Sequence, residues 1–141
     1  MIRYLRFIVP AILLASVAAP AFADDLTASK AILCTAVQVS ACDSDGKCQA
    51  DTPWNLNIPQ FIEIDLDHKM LSTTKASGEN RSTPVRTLVR EDGQIFLQGV
   101  EGGRAFSFVI TEASGMASIA VAREDLTVSI FGVCTPIPTG K

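Results

Sequence analysis

Histidine occurs once in this chain of 141 residues, as do tryptophan and tyrosine. General acid–base and nucleophilic catalysis most often use a histidine beside a second organised group. The single histidine, His68, follows an acidic segment in a polar stretch, which is typical of a solvated turn residue. The chain also lacks the G-x-S-x-G motif of many hydrolases. We therefore expect no catalytic residue, no enzymatic activity and no cofactor.

Basic charge is scarce as well, because 12 lysines and arginines face 15 aspartates and glutamates, which gives a net charge of −3. Nucleic-acid binding requires a basic surface that neutralises phosphates, so no nucleic-acid partner is expected. Four arginines come nearest to forming a cluster: Arg81, Arg86, Arg90 and Arg104. They are scattered over several segments beside acidic neighbours. This spacing predicts separate surface charges rather than an anion site.

The amino-terminal segment has the three parts of a secretory signal peptide. Arg3 and Arg6 are its cations, and residues 7–19 contain no charged side chain. Ala21-Phe22-Ala23 then supplies the small residues that precede a cleavage site. We therefore predict a signal peptide at residues 1–23.

A membrane anchor is the competing interpretation of this segment. A spanning helix needs about 20 mostly apolar residues, whereas Pro10 and Pro20 interrupt a shorter run. Cleavage would leave residues 24–141, a length that suits a single domain, with ten basic residues against 15 acidic ones and a net charge of −5. We expect a periplasmic or secreted protein that has no membrane span after the signal is removed.

All four cysteines, Cys34, Cys42, Cys48 and Cys134, lie after the predicted cleavage site. An even number of cysteines in an exported chain is typical of disulfides, and three pairings are possible. We favour Cys42 with Cys48, which would close a short turn. The other pair, Cys34 with Cys134, would join the first strand to the last. Neither the close cysteine pairs of zinc sites nor a C-x-x-C redox motif is present.

Alternating apolar and polar residues predict strands over much of the domain. In residues 61–67, Ile62, Ile64 and Leu66 share one face. The other face carries three acidic residues, Glu63, Asp65 and Asp67. Paired carboxylates can perform acid–base chemistry, but acidic residues opposite an apolar face are more typical of the wet side of a sheet. We predict a half-buried strand here.

Further strands are predicted at residues 31–41, 84–90, 94–100, 104–111, 116–122 and 126–134. The Asp92-Gly93 step is a strong signal for a tight hairpin turn. Within the first of these strands, alternation would place Leu33, Thr35, Val37 and Val39 on one face and Cys34 on the other. A helix beginning near Leu26 is the alternative for this region.

Two segments have no clear periodicity. Residues 49–60 contain prolines on both sides of Trp54, and residues 72–83 are polar, contain Gly78 and are the predicted mobile loop. The remaining pattern predicts an all-β, mainly antiparallel fold. We expect a small barrel or sandwich of six to seven strands with meander connections, bridged by disulfides.

The turn Asp43-Ser44-Asp45-Gly46 has oxygen ligands at alternate positions, as calcium loops do, but it lacks the terminal glutamate of an EF-hand. An Asp/Gly turn closed by a disulfide explains the same residues, so we predict no metal site. Trp54 has two interpretations. A single tryptophan is most often a buried plug over one end of a small barrel. Alternatively, Trp54 is an exposed residue that binds a partner.

Four short motifs recur together in a known set of proteins: Cys42-Asp43-x-Asp45-Gly46-x-Cys48, Phe61-Ile62-x-Ile64-Asp65, Thr83-Pro84-Val85-Arg86 and Phe131-Gly132-x-Cys134-Thr135-Pro136. With them the chain resembles short exported proteobacterial proteins of uncharacterised function. The resemblance covers most of the domain and implies export, four cysteines and a β-rich fold. It transfers no active site.

These observations predict an exported, non-catalytic binding or accessory protein of the cell envelope. Its partner would be an unknown protein or a small apolar ligand. A filled barrel interior would favour a protein partner, and a hollow one a small ligand. The alternative is an inhibitor of a secreted or periplasmic hydrolase such as lysozyme, whose basic charge would suit an acidic binder. Small exported lysozyme inhibitors share the size, the disulfides and a β-barrel, which is an analogy of architecture alone.

Overall fold

A computed structural model describes residues 25–77 and 80–138 of the chain. The predicted signal peptide, residues 1–23, lies outside the described residues. The strands within them are β1 (Ala31–Asp43), β2 (Cys48–Asp51), β3 (Phe61–Asp65), β4 (Met70–Thr73), β5 (Ser82–Pro84), β6 (Thr87–Glu91), β7 (Gln94–Glu101), β8 (Arg104–Thr111), β9 (Met116–Arg123) and β10 (Leu126–Pro136). Two one-turn 3₁₀ helices, Trp54–Leu56 and Lys75–Ser77, complete the described elements. In these residues no helix is long and apolar enough to cross a membrane.

The strands form one antiparallel sheet in the order β5-β4-β3-β1-β10-β9-β8-β7-β6, and β2 pairs with β1. The last five strands are a meander, as are β3 to β5. The two ends of the sheet, β5 and β6, are consecutive in the chain and separated by two residues, so the sheet has to curl until its ends approach. The Arg86 N–H accordingly donates to the Gln98 carbonyl on β7 at 2.8 Å. The result is a half-barrel, which confirms the predicted all-β, antiparallel fold.

The expected count of six to seven strands is wrong, because ten are present in the described residues. The additional strands include β2, β4 and β5, which have only three or four residues each. Such short segments show no readable alternation, and their neighbours in the sheet supply the pairing. Both segments predicted to be irregular therefore contain strand. The predicted mobile loop, residues 72–83, holds the end of β4, a 3₁₀ helix and the start of β5, while Gly78 lies outside the described residues.

The predicted face of β1 is wrong because the strand contains a β-bulge. Its register against β10 shifts by one residue at Val37, which is 69% exposed. Cys34 before the bulge and Val39 after it are therefore both buried on the inner face. Gly132 lies opposite the bulge, and a Cβ atom there would sit 2.4 Å from the Thr35 carbonyl oxygen. Only glycine allows β10 to approach β1 this closely.

The segment before β1 forms a turn, so the alternative of a helix near Leu26 is wrong. The Leu26 side chain is fully buried, and its N–H donates to the Glu112 carbonyl at 2.8 Å. The guanidinium of Arg90 donates to the carbonyls of Thr27 at 2.8 Å and Ser29 at 2.7 Å. It also lies 3.5 Å from the Glu112 carboxylate. Arg90, predicted to be a surface charge, thus fastens the amino-terminal segment to the half-barrel.

Both favoured disulfides are present. Cys34 and Cys134 face each other directly across β1 and β10, and Cys42 and Cys48 do so across β1 and β2. The second bridge closes the predicted turn. There a carboxylate oxygen of Asp43 accepts hydrogen bonds from the backbone N–H groups of Asp45 at 3.0 Å and Lys47 at 2.9 Å. That aspartate therefore shapes the turn itself.

Candidate functional site

The interior of the half-barrel is mostly filled, but an apolar pocket of about 80 Å³ remains inside it. Alternation along β8 directs Phe106 and Phe108 inward, and their rings meet edge to face with centroids 5.8 Å apart. Several aliphatic residues also line the pocket: Ile62, Leu71, Ile119, Val121 and Ile130. The interior is thus neither wholly filled nor hollow.

Gly99 on β7 makes room for one wall of this pocket. It pairs directly with Phe106 on β8, and a Cβ atom at Gly99 would lie 2.4 Å from the phenylalanine ring. The ring therefore lies over the β7 backbone where any other residue would place a side chain. Gly99 was not among the residues predicted to form a site. An isolated glycine within an alternating strand is the signal that could have identified it.

The pocket is flanked by three charged residues that come from distant parts of the chain: Arg81, Glu101 and Arg104. Glu101 and Arg104 face each other on β7 and β8 across the Gly102-Gly103 turn. A carboxylate oxygen of Glu101 accepts a hydrogen bond from the Thr83 hydroxyl at 2.9 Å. Arg81 lies in the segment before β5. These three groups, with Thr35, Asn57 and Gln60, supply the polar part of an otherwise apolar lining.

The prediction that Arg81 and Arg104 are separate surface charges is therefore wrong. Both are partly buried and line the same pocket, although 23 positions separate them in the sequence. The curl of the sheet brings them together, and strand periodicity carries no information about that curl. Arg86, in contrast, is exposed and lies outside the pocket lining.

Trp54 is 69% exposed, so the prediction of a buried plug is wrong. It begins a 3₁₀ helix after Pro53, and Asp51 holds the start of this loop in place. One carboxylate oxygen of Asp51 accepts hydrogen bonds from the Asn55 amide at 2.9 Å and the Thr52 N–H at 2.7 Å. These bonds, that of Asn55 first, hold the pKa of Asp51 below its ordinary value.

We call residues 53–60 the tryptophan loop. Its second half contributes Asn57, Ile58, Pro59 and Gln60 to the pocket lining, while Trp54 itself does not line the pocket. The Gln60 carbonyl accepts a hydrogen bond from the N–H of Ala36 at 3.1 Å, which joins the loop to β1. The loop therefore has one side in the pocket and one side, with Trp54, in solvent.

The predicted acidic face of β3 lies away from the pocket, and Glu63 and Asp67 are exposed as expected for a wet face. His68 is exposed in the turn that follows, which confirms its predicted position. Its Nδ1 lies 2.7 Å from a carboxylate oxygen of Asp65. This hydrogen bond raises the pKa of His68. The backbone N–H and the ring of His68 together lower the pKa of Asp65.

Comparisons of the chain with models of protein families, with curated proteins and with solved structures find no match.

Proposed function

We propose that the protein is an exported, non-catalytic binding protein of the cell envelope that holds a small apolar ligand in the pocket of the half-barrel. The observation that carries this proposal is the composition of the pocket. Aromatic and aliphatic side chains form most of its lining, and a few polar groups converge on it. Sites for small molecules have this combination, since the apolar walls supply affinity and the polar groups fix orientation.

The volume of the pocket limits the size of the ligand. At about 80 Å³ it is roughly half the size of an engineered cavity of about 150 Å³ that binds benzene. A short alkyl chain therefore fits better than a long acyl chain. Each buried methylene group contributes about 0.8 kcal/mol. Three or four such groups alone give only weak binding, so polar contacts have to add to the affinity.

Export is supported by the two disulfides, because such bridges form and persist in oxidising compartments. The signal pattern at residues 1–23 and the resemblance to exported proteobacterial proteins agree with this compartment. An envelope location would bring the pocket into contact with small molecules that enter from outside the cell.

Filling the pocket tests the proposal. Ala36 lines it from β1, so Ala36→Leu should remove the space that a short alkyl chain needs. We expect wild-type protein to bind hexan-1-ol, with shifts of the Ile119 and Val121 methyl signals in NMR titrations. Losing two buried methylene contacts in Ala36→Leu should weaken binding on the order of tenfold.

Ala120→Leu is the matched control, because Ala120 is exposed on the outer face of β9. This variant should bind hexan-1-ol as the wild type does. Equal binding by Ala36→Leu and wild type, or ligand-induced shifts spread over outer residues such as Val133, would contradict a site in the pocket.

A second candidate, inhibition of a secreted or periplasmic hydrolase such as lysozyme, is favoured by the exposed Trp54. Aromatic residues that protrude from a well-held loop are frequent anchors of protein interfaces, and Asp51 holds this loop in place. The acidic chain would also attract a basic enzyme.

This second function predicts that excess protein slows lysozyme turnover and that Trp54→Ala relieves the inhibition by at least tenfold in inhibition constant, a typical loss for an interface anchor. Val89→Ala is the control, because Val89 is an exposed apolar residue on β6. Unchanged lysozyme turnover at a large excess of the wild-type protein would rule out inhibition of that enzyme.

A further inference from the structure

Two arginines and one acidic residue are the charged members of the pocket lining among the described residues: Arg81, Arg104 and Glu101. The chain as a whole has a net charge of −3. A guanidinium without a partner on an otherwise acidic protein favours an anion at that position, because the remaining surface repels one.

Glu101 does not neutralise Arg104 through an ion pair. One of its carboxylate oxygens already accepts the hydrogen bond from the Thr83 hydroxyl at 2.9 Å. Although Glu101 and Arg104 are paired in the register of β7 and β8, their side chains form no ion pair within the part of the chain that the structure describes. The turn between them, Gly102-Gly103, has positive φ angles of 53° and 78°, which is the geometry of a tight hairpin.

Arg104 is partly buried at the start of β8, and its guanidinium makes no hydrogen bond or ion pair with any residue in the ranges 25–77 and 80–138. A guanidinium presents five N–H donors in a planar fork that matches the two oxygens of a carboxylate. Two residues further along the strand, Phe106 lines the apolar part of the pocket. One strand thus carries an anion-binding group and an apolar wall side by side.

We propose that the ligand is a small amphipathic monoanion, of the short-chain carboxylate class, whose carboxylate binds Arg104 while its alkyl tail lies against Phe106 and Phe108. This inference rests on the proposed function and adds the chemistry of the head group. A single negative charge matches the one guanidinium of Arg104 better than a phosphate dianion does, and the planar carboxylate suits the guanidinium fork. The small volume restricts the tail to a few methylene groups.

Calorimetric titration with hexanoate, hexan-1-ol and hexylammonium separates the head from the tail, since all three carry the same alkyl chain. Wild-type protein should bind hexanoate about tenfold more tightly than hexan-1-ol, the gain typical of a charge-assisted hydrogen bond. Hexylammonium should bind more weakly than the alcohol. Because a guanidinium–carboxylate contact is screened by salt, the preference for hexanoate should also shrink at high ionic strength.

Arg104→Gln should bind hexanoate and hexan-1-ol equally, whereas Arg104→Lys, which keeps the charge but loses the fork, should retain part of the preference. Arg86→Gln is the control, since Arg86 is exposed outside the pocket, and it should keep the full preference. Equal binding of hexanoate and hexan-1-ol by the wild type, or an unchanged preference in Arg104→Gln, would overturn the proposal of a monoanionic ligand. The proposal of an apolar binding pocket would be unaffected. Failure of all three probes to bind would overturn both proposals.

Discussion

Replacing Cys34 and Cys134 together by alanine is expected to lower the free energy of unfolding by about 3–5 kcal/mol. This bridge joins residues 100 positions apart, so it restricts the unfolded chain far more than a local bridge does. It also ties the first strand, β1, to the last, β10, in the middle of the sheet. Urea denaturation of the unreduced proteins, followed by the fluorescence of the single tryptophan or by circular dichroism, measures the difference.

The second bridge is the internal control for this prediction. Cys42 and Cys48 are six positions apart, so the double alanine variant of this pair should lose only about 2 kcal/mol. A larger loss from the Cys42–Cys48 pair than from the Cys34–Cys134 pair would contradict a stabilising effect that grows with loop length. The presence of four titratable thiols in the purified, unreduced protein would remove the basis of both predictions.

Leu26→Ala is expected to lower the free energy of unfolding by about 2–5 kcal/mol, because it leaves a cavity where a leucine side chain is fully buried. The effect is notable for a residue so close to the predicted cleavage site after Ala23. Chain ends are often poorly ordered unless they are held in place. Here the Leu26 N–H donates to the Glu112 carbonyl, and the Arg90 guanidinium donates to the carbonyls of Thr27 and Ser29.

Met116→Ala is a suitable comparison for Leu26→Ala. It also truncates a large apolar side chain, but Met116 is 63% exposed on the outer face, so the loss should stay within about 0.5 kcal/mol. Denaturation midpoints of the two variants, measured on protein that begins at Asp24, give the comparison directly. If Leu26→Ala costs no more than Met116→Ala, the amino-terminal segment is not part of the folded core.

The elements that could be predicted from the sequence are those with local causes. The Asp92-Gly93 step predicted the hairpin of β6 and β7, and both residues have the positive φ angles, 49° and 73°, that a tight hairpin turn requires. The alternation of β3 likewise predicted its buried face, with Ile64 fully enclosed. Each of these signals acts between residues that are neighbours in the chain, so it can be read without the rest of the fold.

The bulge in β1 shows where local reasoning fails. Strict alternation placed Val37 and Val39 on one face, but an extra residue in the strand separates them. The bulge depends on Gly132, almost one hundred residues away, which lets the two backbones approach. No window of sequence around Val37 contains that information. The exposure of Trp54 was missed for a similar reason, because whether a loop covers a barrel or projects from it depends on the curvature of the whole sheet.

The amino-acid sequence by itself determined that the chain forms antiparallel strands, where most of the long ones lie, and which cysteines could be bridged across them. The tertiary structure alone decided that Arg81 and Arg104 meet beside an apolar pocket. The physical reason is that the side chains of a strand alternate between the two faces of the sheet, a pattern that neighbouring residues reveal. The curl of the sheet, in contrast, accumulates over all of its strands. The accumulated curl brings β5 back towards β7, so that Arg81, which precedes β5, lines the same pocket as Arg104 on β8.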